Sequence, residues 1–287
     1  MARGFEAGMF ARLFSKTGCP PYVFHAEGFW IEERQAARSF SPPVARQLAR
    51  LEAAIRRDAA GLIVLTSRAA AEIGSQLPGM PILVVPSSID MTRFAEAPAV
   101  RASRPPPSAV RCCWLGSFEG RYDHDAAARF VRELAHATPV ELTVISRQVP
   151  DDVRAALESS GVAVHYESVR PEEVGALLPT FDVGLLFLEG GPANRGTSPT
   201  KFPEYLAAGL AVAMNTDIGD GDEILGVDRT GVVVEPAEAG KAVYELVELL
   251  RDPLLPQRCM DSARRHFDGR RAADQLDSFL AARLAQR

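Results

Sequence analysis

Residues 198–224, SPTKFPEYLAAGLAVAMNTDIGDGDEI, place a small-residue turn (Ser198, Pro199, Thr200) ahead of a short helix expected over 200–208. That helix carries Lys201 and Glu204, ends near Gly209, and leads into an apolar strand at 211–215. A helix N-terminus has unpaired N–H groups and the positive end of the helix dipole, so it is a natural seat for phosphate. Lys201 adds a cation on the first turn, and Glu204 lies three residues on along the same face. A carboxylate beside a phosphate seat suits sugar or ribose hydroxyls, whose hydrogen bonds it accepts. The combination points to a nucleoside diphosphate or a nucleotide sugar.

Outward from this stretch, strands and helices alternate, which argues for parallel sheets in an α/β protein. Six strands are expected in the second section, at 111–115, 141–146, 162–167, 183–188, 211–215 and 231–234. Helices at 124–136, 151–159, 171–178, 200–208 and 239–251 separate most of them. Continuous apolar strands of this kind are covered on both faces, and the pattern is that of a doubly wound, Rossmann-like domain. The first section reads as helix 3–16, strand 22–25, helix 43–57, strand 62–66, helix 68–76 and strand 82–85, with Ser67 as the N-cap of helix 68–76. Residues 97–109, APAVRASRPPPSA, lack periodicity and read as a linker. A last helix near 270–286 has one apolar face. The expected division is 1–97, a partial α/β domain; 98–109, the linker; 110–268, the nucleotide-sugar domain; and 269–287, a terminal helix.

The chain has 287 residues, 47% of them hydrophobic, and a formal net charge of −5. Without a basic excess, broad electrostatic binding to nucleic acid is not expected. No apolar run reaches membrane-spanning length, and MARGFEAGMFARLF does not read as a secretory signal. The four cysteines (Cys19, Cys112, Cys113, Cys259) show no metal spacing. Adjacent Cys112 and Cys113 read as reduced core thiols, which fits a cytoplasmic compartment.

The run K-x-x-E-Y-L-A-A-G-L-A-V followed by D-E-I resembles the donor-site signature of the family-4 retaining glycosyltransferases. Three further segments fall in that family's order: VVPSSIDMTRF (84–94), WLGSFEG (114–120) and TGVVVEP (230–236). The resemblance implies two Rossmann-like domains in the B-type glycosyltransferase architecture. It also implies that the N-terminal domain here is incomplete, matching only the family's second half. Either Met1 is internal to a longer gene, or the chain is a truncation or one half of a split enzyme. A half-domain leaves an edge and a face uncovered, so an exposed apolar patch is expected unless a partner chain or second copy covers it.

The resemblance further implies metal-independent transfer of a sugar, with retention, from a nucleotide-diphosphate sugar. The sugar is a co-substrate and no cofactor is expected. The acceptor is a saccharide, a lipid carrier (with peripheral membrane contact) or a small metabolite. Ser198, Thr200 and Lys201 are assigned to the diphosphate, and Glu204 to the ribose hydroxyls. Gly116 lets the backbone approach the ligand. Position 117, where the family carries a cation, is Ser117; Arg121 is the nearest cation and reads either as its substitute or as a simple loop arginine. His25 matches a histidine beside the transferred sugar, although a lone histidine also serves structurally; His25 and Lys201 are the expected catalytic pair. Ser146-Arg147 and Glu167-Ser168 end strands where such sheets meet a nucleotide base, and Ser168 joins the donor set. The family's first motif glutamate is Gly196 here, which puts sugar recognition in question. Gly190-Gly191 and Gly196-Thr197 offer backbone N–H groups instead. Trp30 and Phe29 in GFWIEER shape either an acceptor wall or core. Asp220-Gly221-Asp222 could hold a hard cation but reads better as a turn. Two rival readings share the pattern: a non-catalytic nucleotide-sugar-binding module, and a sugar-nucleotide epimerase.

Overall fold

The computed structural model describes residues 1–17, 20–36, 40–104, 108–116, 118, 121–235 and 238–285. Cys19, Ser117, Pro236 and residues 105–107 of the expected linker lie outside them.

The first section comprises β1 (Ala2–Arg3), α1 (Gly4–Ser15), β2 (Val23–His25), α2 (Trp30–Ala36), α3 (Pro42–Asp58), β3 (Gly61–Val64), α4 (Ser67–Gln76) and β4 (Ile82–Val84). Its strands form a parallel sheet in sequence order, with Phe24 beside Leu62 and Leu62 beside Ile82. Two elements go beyond the sequence reading. Residues 2–3 pair as an edge strand before the first helix. Residues 30–36 form a helix, braced where Trp30 stacks on Phe5 at 4.6 Å. The N-cap of α4 is Thr66, not Ser67: the Thr66 hydroxyl accepts from Ala69 N at 3.1 Å. On α1, Phe5 and Gly8 face inward, whereas Phe10, Leu13 and Phe14 are each more than half exposed. The first section therefore carries an apolar surface patch.

The second section comprises α5 (Ala97–Ala102), β5 (Val110–Leu115), α6 (His124–Ala137), β6 (Val140–Ile145), α7 (Asp151–Glu158), β7 (Ala163–Glu167), α8 (Val174–Leu177) and β8 (Val183–Leu186). It continues with α9 (Lys201–Ala207), β9 (Ala211–Asn215), α10 (Gly221–Asp228), β10 (Gly231–Val234), α11 (Ala239–Leu250), α12 (Leu255–Phe267) and α13 (Gly269–Leu284). All six expected strands are present, in the order β10-β9-β8-β5-β6-β7 and all parallel. This is the doubly wound order, with its switch point between β5 and β8. Part of the segment read as a linker is helix α5, with Pro98 in its first turn and Ala97 fully buried. Arg104 of the same segment holds Asp182 at 2.5 Å. Helix α12 escaped the sequence reading; it buries Cys259, Met260, Ala263 and Phe267.

Each section has its own apolar core, but the partition is not that of the chain order. Ala193 of the second section joins the first core, and Ile89 and Phe94, which precede α5, join the second. The chain crosses between the sections twice, side by side. Ile89 N donates to Phe267 O and Gly269 N donates to Ile89 O, both at 2.9 Å. After the second crossing, α13 reaches back so that Phe279 packs against Gly61 of β3.

Candidate functional site

At the switch point β5 and β8 pair only briefly, Cys112 with Val183 and Cys113 with Gly184. Beyond that the Tyr205 hydroxyl enters between them. It accepts from Leu115 N at 2.8 Å and donates to Leu185 O at 3.3 Å. The tyrosine of the K-x-x-E-Y motif thus props open the crevice. Its ring leaves no room for a Cβ at position 184, which is glycine.

Above the crevice lies a cavity of about 1030 Å³. Gly116, Ser146, Arg147, Thr200, Lys201 and Glu204, six of the expected site residues, line it together with Arg93 and Tyr122. Lys201 is only 7% exposed. Its ammonium sits 3.7 Å over the Tyr122 ring, a cation–π contact. Nζ has no hydrogen-bond partner among the described residues. Burial lowers its pKa to about 7, against a smaller opposing pull from Glu204. Gly116 adopts φ +145°, and a Cβ there would overlap the Lys201 ammonium. The glycine therefore makes room for the cation as well as for a ligand. Helix α9 spans only seven residues, so Lys201 rather than a long helix dipole is the chief positive group. Burial pushes the Glu204 carboxyl up, and Arg93, 2.9 Å away, pulls it down.

The remaining expected residues lie elsewhere. Ser198 is turned toward the first section: its Oγ accepts from Ser87 N at 3.0 Å and its carbonyl accepts from Ser87 Oγ at 2.5 Å. It lines a smaller cavity of about 190 Å³ between the sections, with Thr66, Pro86 and Phe267. Arg121 faces α2, 3.7 Å from Glu33. Ser168 is exposed, next to cavity residue Val169. His25 ends β2, half-buried; burial lowers its pKa, and Nε2 is enclosed without a partner among the described residues. It does not line the cavity around Lys201. Sequence reasoning missed Tyr122, which carries no motif, and Arg93, which stood inside VVPSSIDMTRF with no sign of its partner.

Gly196 packs under Phe29, and a Cβ at 196 would fall 2.6 Å from that ring. Phe29 is itself held between Arg195 at 4.3 Å and Arg56 at 5.7 Å. Arg195 also pairs with Glu32 at 3.0 Å and with Glu72. The GFWIEER segment is therefore part of the junction between the sections. The D-x-D pair serves the same junction. Asp220 accepts from Ser67 N at 2.7 Å and Arg68 N at 3.2 Å, capping α4 from the other section. Asp222 holds Arg68 at 3.1 Å. The pair begins helix α10 rather than forming a plain turn.

No family model and no curated protein matches the chain. Solved structures do. Sucrose-phosphate synthase from Thermosynechococcus elongatus aligns with TM-score 0.73 at 15% identity, over 99% of this chain and 73% of that one. WaaG, a glycosyltransferase involved in lipopolysaccharide biosynthesis, aligns at 0.63 and 18%, over 92% and 75%. Anabaena HepE in complex with UDP and glucose aligns at 0.67 and 13%, over 97% and 76%. At these identities the likeness is one of fold. The chain has the B-type glycosyltransferase fold, an α/β architecture of two parallel sheets.

Proposed function

We propose that the chain is a glycosyltransferase that moves a sugar from a nucleoside-diphosphate donor to an acceptor hydroxyl, with retention and without a metal. The observation that carries this reading is the meeting of Lys201, Glu204, Gly116 and Thr200 around one cavity at the switch point. The fold likeness to HepE, whose structure holds UDP and glucose, supports the choice of ligand. Glu204 accepts ribose hydroxyls. Lys201, whose ammonium has no hydrogen-bond partner among the described residues, meets the diphosphate. In the reaction the acceptor oxygen bonds to the anomeric carbon as the bond to the diphosphate breaks, and the acceptor proton passes to the departing diphosphate. Negative charge grows on that leaving group, and a desolvated ammonium already in place stabilises it more than water does. The carboxylates of the D-x-D pair are engaged by α4 and Arg68, which favours charge stabilisation by Lys201 over a cation held there.

A second reading, a binding module without turnover, is favoured by one observation: Gly196 lies under Phe29, so that position offers no carboxylate to a sugar. Calorimetric titration with UDP, GDP and ADP, followed by transfer assays, separates the two. Saturable binding of one nucleotide, lost about 10- to 100-fold in Glu204→Ala, supports the site; unchanged affinity in that variant rejects it. Binding without turnover on a broad acceptor panel selects the module.

A further inference from the structure

Arg93 lies in a 3-10 turn, Met91–Phe94, just past the first crossing between the sections. The turn is held on three sides. Asp90 caps it, accepting from Thr92 N at 2.9 Å and Thr92 Oγ1 at 2.7 Å. Phe94 is buried in the second core. The Arg93 carbonyl packs so closely on Gly175 that a Cβ there would overlap it. From this fixed base the guanidinium enters the cavity and makes two bonds. Nη1 donates to Glu204 Oε1 at 2.9 Å, and Nη2 donates to Pro171 O at 3.0 Å. Pro171 belongs to the β7–α8 loop, which lines the same cavity with Val169 and Glu172.

We propose that Arg93 is a positioning residue for the nucleoside half of the donor, locking Glu204 and the 169–172 loop into one wall against which ribose and base are seated. This rests on the donor-site reading above. A guanidinium suits the task because its planar fork serves two acceptors at once, which an ammonium on a flexible stem does not. With Oε1 taken by Arg93, no donor among the described residues reaches Oε2, leaving that oxygen for a ribose hydroxyl. The charged groups around Glu204 are Arg93 from the turn and Lys201 from its own helix, with Arg147 and Glu172 on the loops that complete the cavity. Burial favours the protonated carboxyl and Arg93 opposes it, so removing Arg93 moves Glu204 protonation to higher pH.

The test is titration of wild type, R93M and R93K with UDP, GDP, ADP and inorganic pyrophosphate between pH 5 and 8. R93M is expected to weaken the best-bound nucleoside diphosphate about 10- to 100-fold and to leave pyrophosphate nearly unchanged. Its nucleotide affinity should also fail at higher pH on the acid side. R93K, which keeps the charge and one contact, should restore the acid side but not the full affinity. Equal loss for pyrophosphate and nucleotide, or no loss with an unshifted pH profile, would overturn the role of Arg93. Failure of wild type to bind any of the three nucleotides would instead overturn the donor-site reading, and this role with it.

Discussion

Lys201 is buried and stacked on Tyr122, and its ammonium has no hydrogen-bond partner among the described residues, although Glu204 lies close enough to pull on its charge. Its pKa of about 7 lies below that of an unfolded lysine. Between those two values the unfolded chain holds the extra proton, so this residue makes stability rise with pH from about 7 toward the ordinary lysine range. Lys201→Met is therefore expected to raise the melting temperature at pH 7 by a few degrees, while nucleoside-diphosphate affinity falls. An arriving diphosphate favours the charged form, so binding above pH 7 takes up a proton. Calorimetry in two buffers of different ionisation enthalpy reads that uptake; equal apparent enthalpies at pH 8 would reject it. Lys201 and Glu204 were legible in the sequence because their spacing on one short helix is local. Tyr122 and Arg93 were not, since each reaches the site from an element 79 or 111 residues away.

At the scale of elements, the second sheet was legible almost throughout. Short apolar strands between helical patterns specify a parallel sheet wherever they occur. Helix α12 was missed although its buried residues recur at helical spacing; α2 and α5 were missed for want of local signal. Helix α5 forms in a Pro- and Ala-rich stretch because Ala97 is buried and Arg101 donates to Phe181 O at 2.8 Å. Helix α2 is held by the Trp30–Phe5 stack and by Glu32 on Arg195. Both are stabilised by tertiary contacts rather than propensity. The junction of β5, β8 and α9 turns on one hydroxyl. Tyr205→Phe removes the acceptor of Leu115 N and the donor to Leu185 O. We expect a loss of about 1–3 kcal/mol in urea unfolding, with the helical signal intact. No change in the unfolding midpoint would mean that the strands are held apart by ring packing alone.

For the whole molecule, the junction between the sections combines packing of Phe29 on Gly196 with a set of charged contacts: Arg195 with Glu32 and Glu72, Arg68 with Asp217 and Asp222, Arg121 with Glu33, and Asp220 on the end of α4. Most of these pairs are partly buried and only weakly screened, whereas the Arg68–Asp217 pair is exposed, so high ionic strength is expected to loosen the junction only slightly. Asp220→Ala should free the Ser67 and Arg68 amides, at a cost of about 1 kcal/mol. Hydrogen exchange at those two amides should accelerate in the variant while β5–β9 stay protected. Unchanged exchange would show that the cap contributes nothing to closure.

The sequence by itself determined the alternation of strands and helices, the parallel six-stranded sheet and the short helix that carries Lys201 and Glu204. Each follows from apolar period and turn chemistry within a window of about twenty residues. Only the tertiary structure decided what those residues meet. It set Arg93 on Glu204, Phe29 over Gly196, Ser87 against Ser198 and Asp220 on the end of α4. Asp220 and Ser67 stand 153 residues apart. No local period records such a pair, because which side chains face each other depends on how the two sections pack.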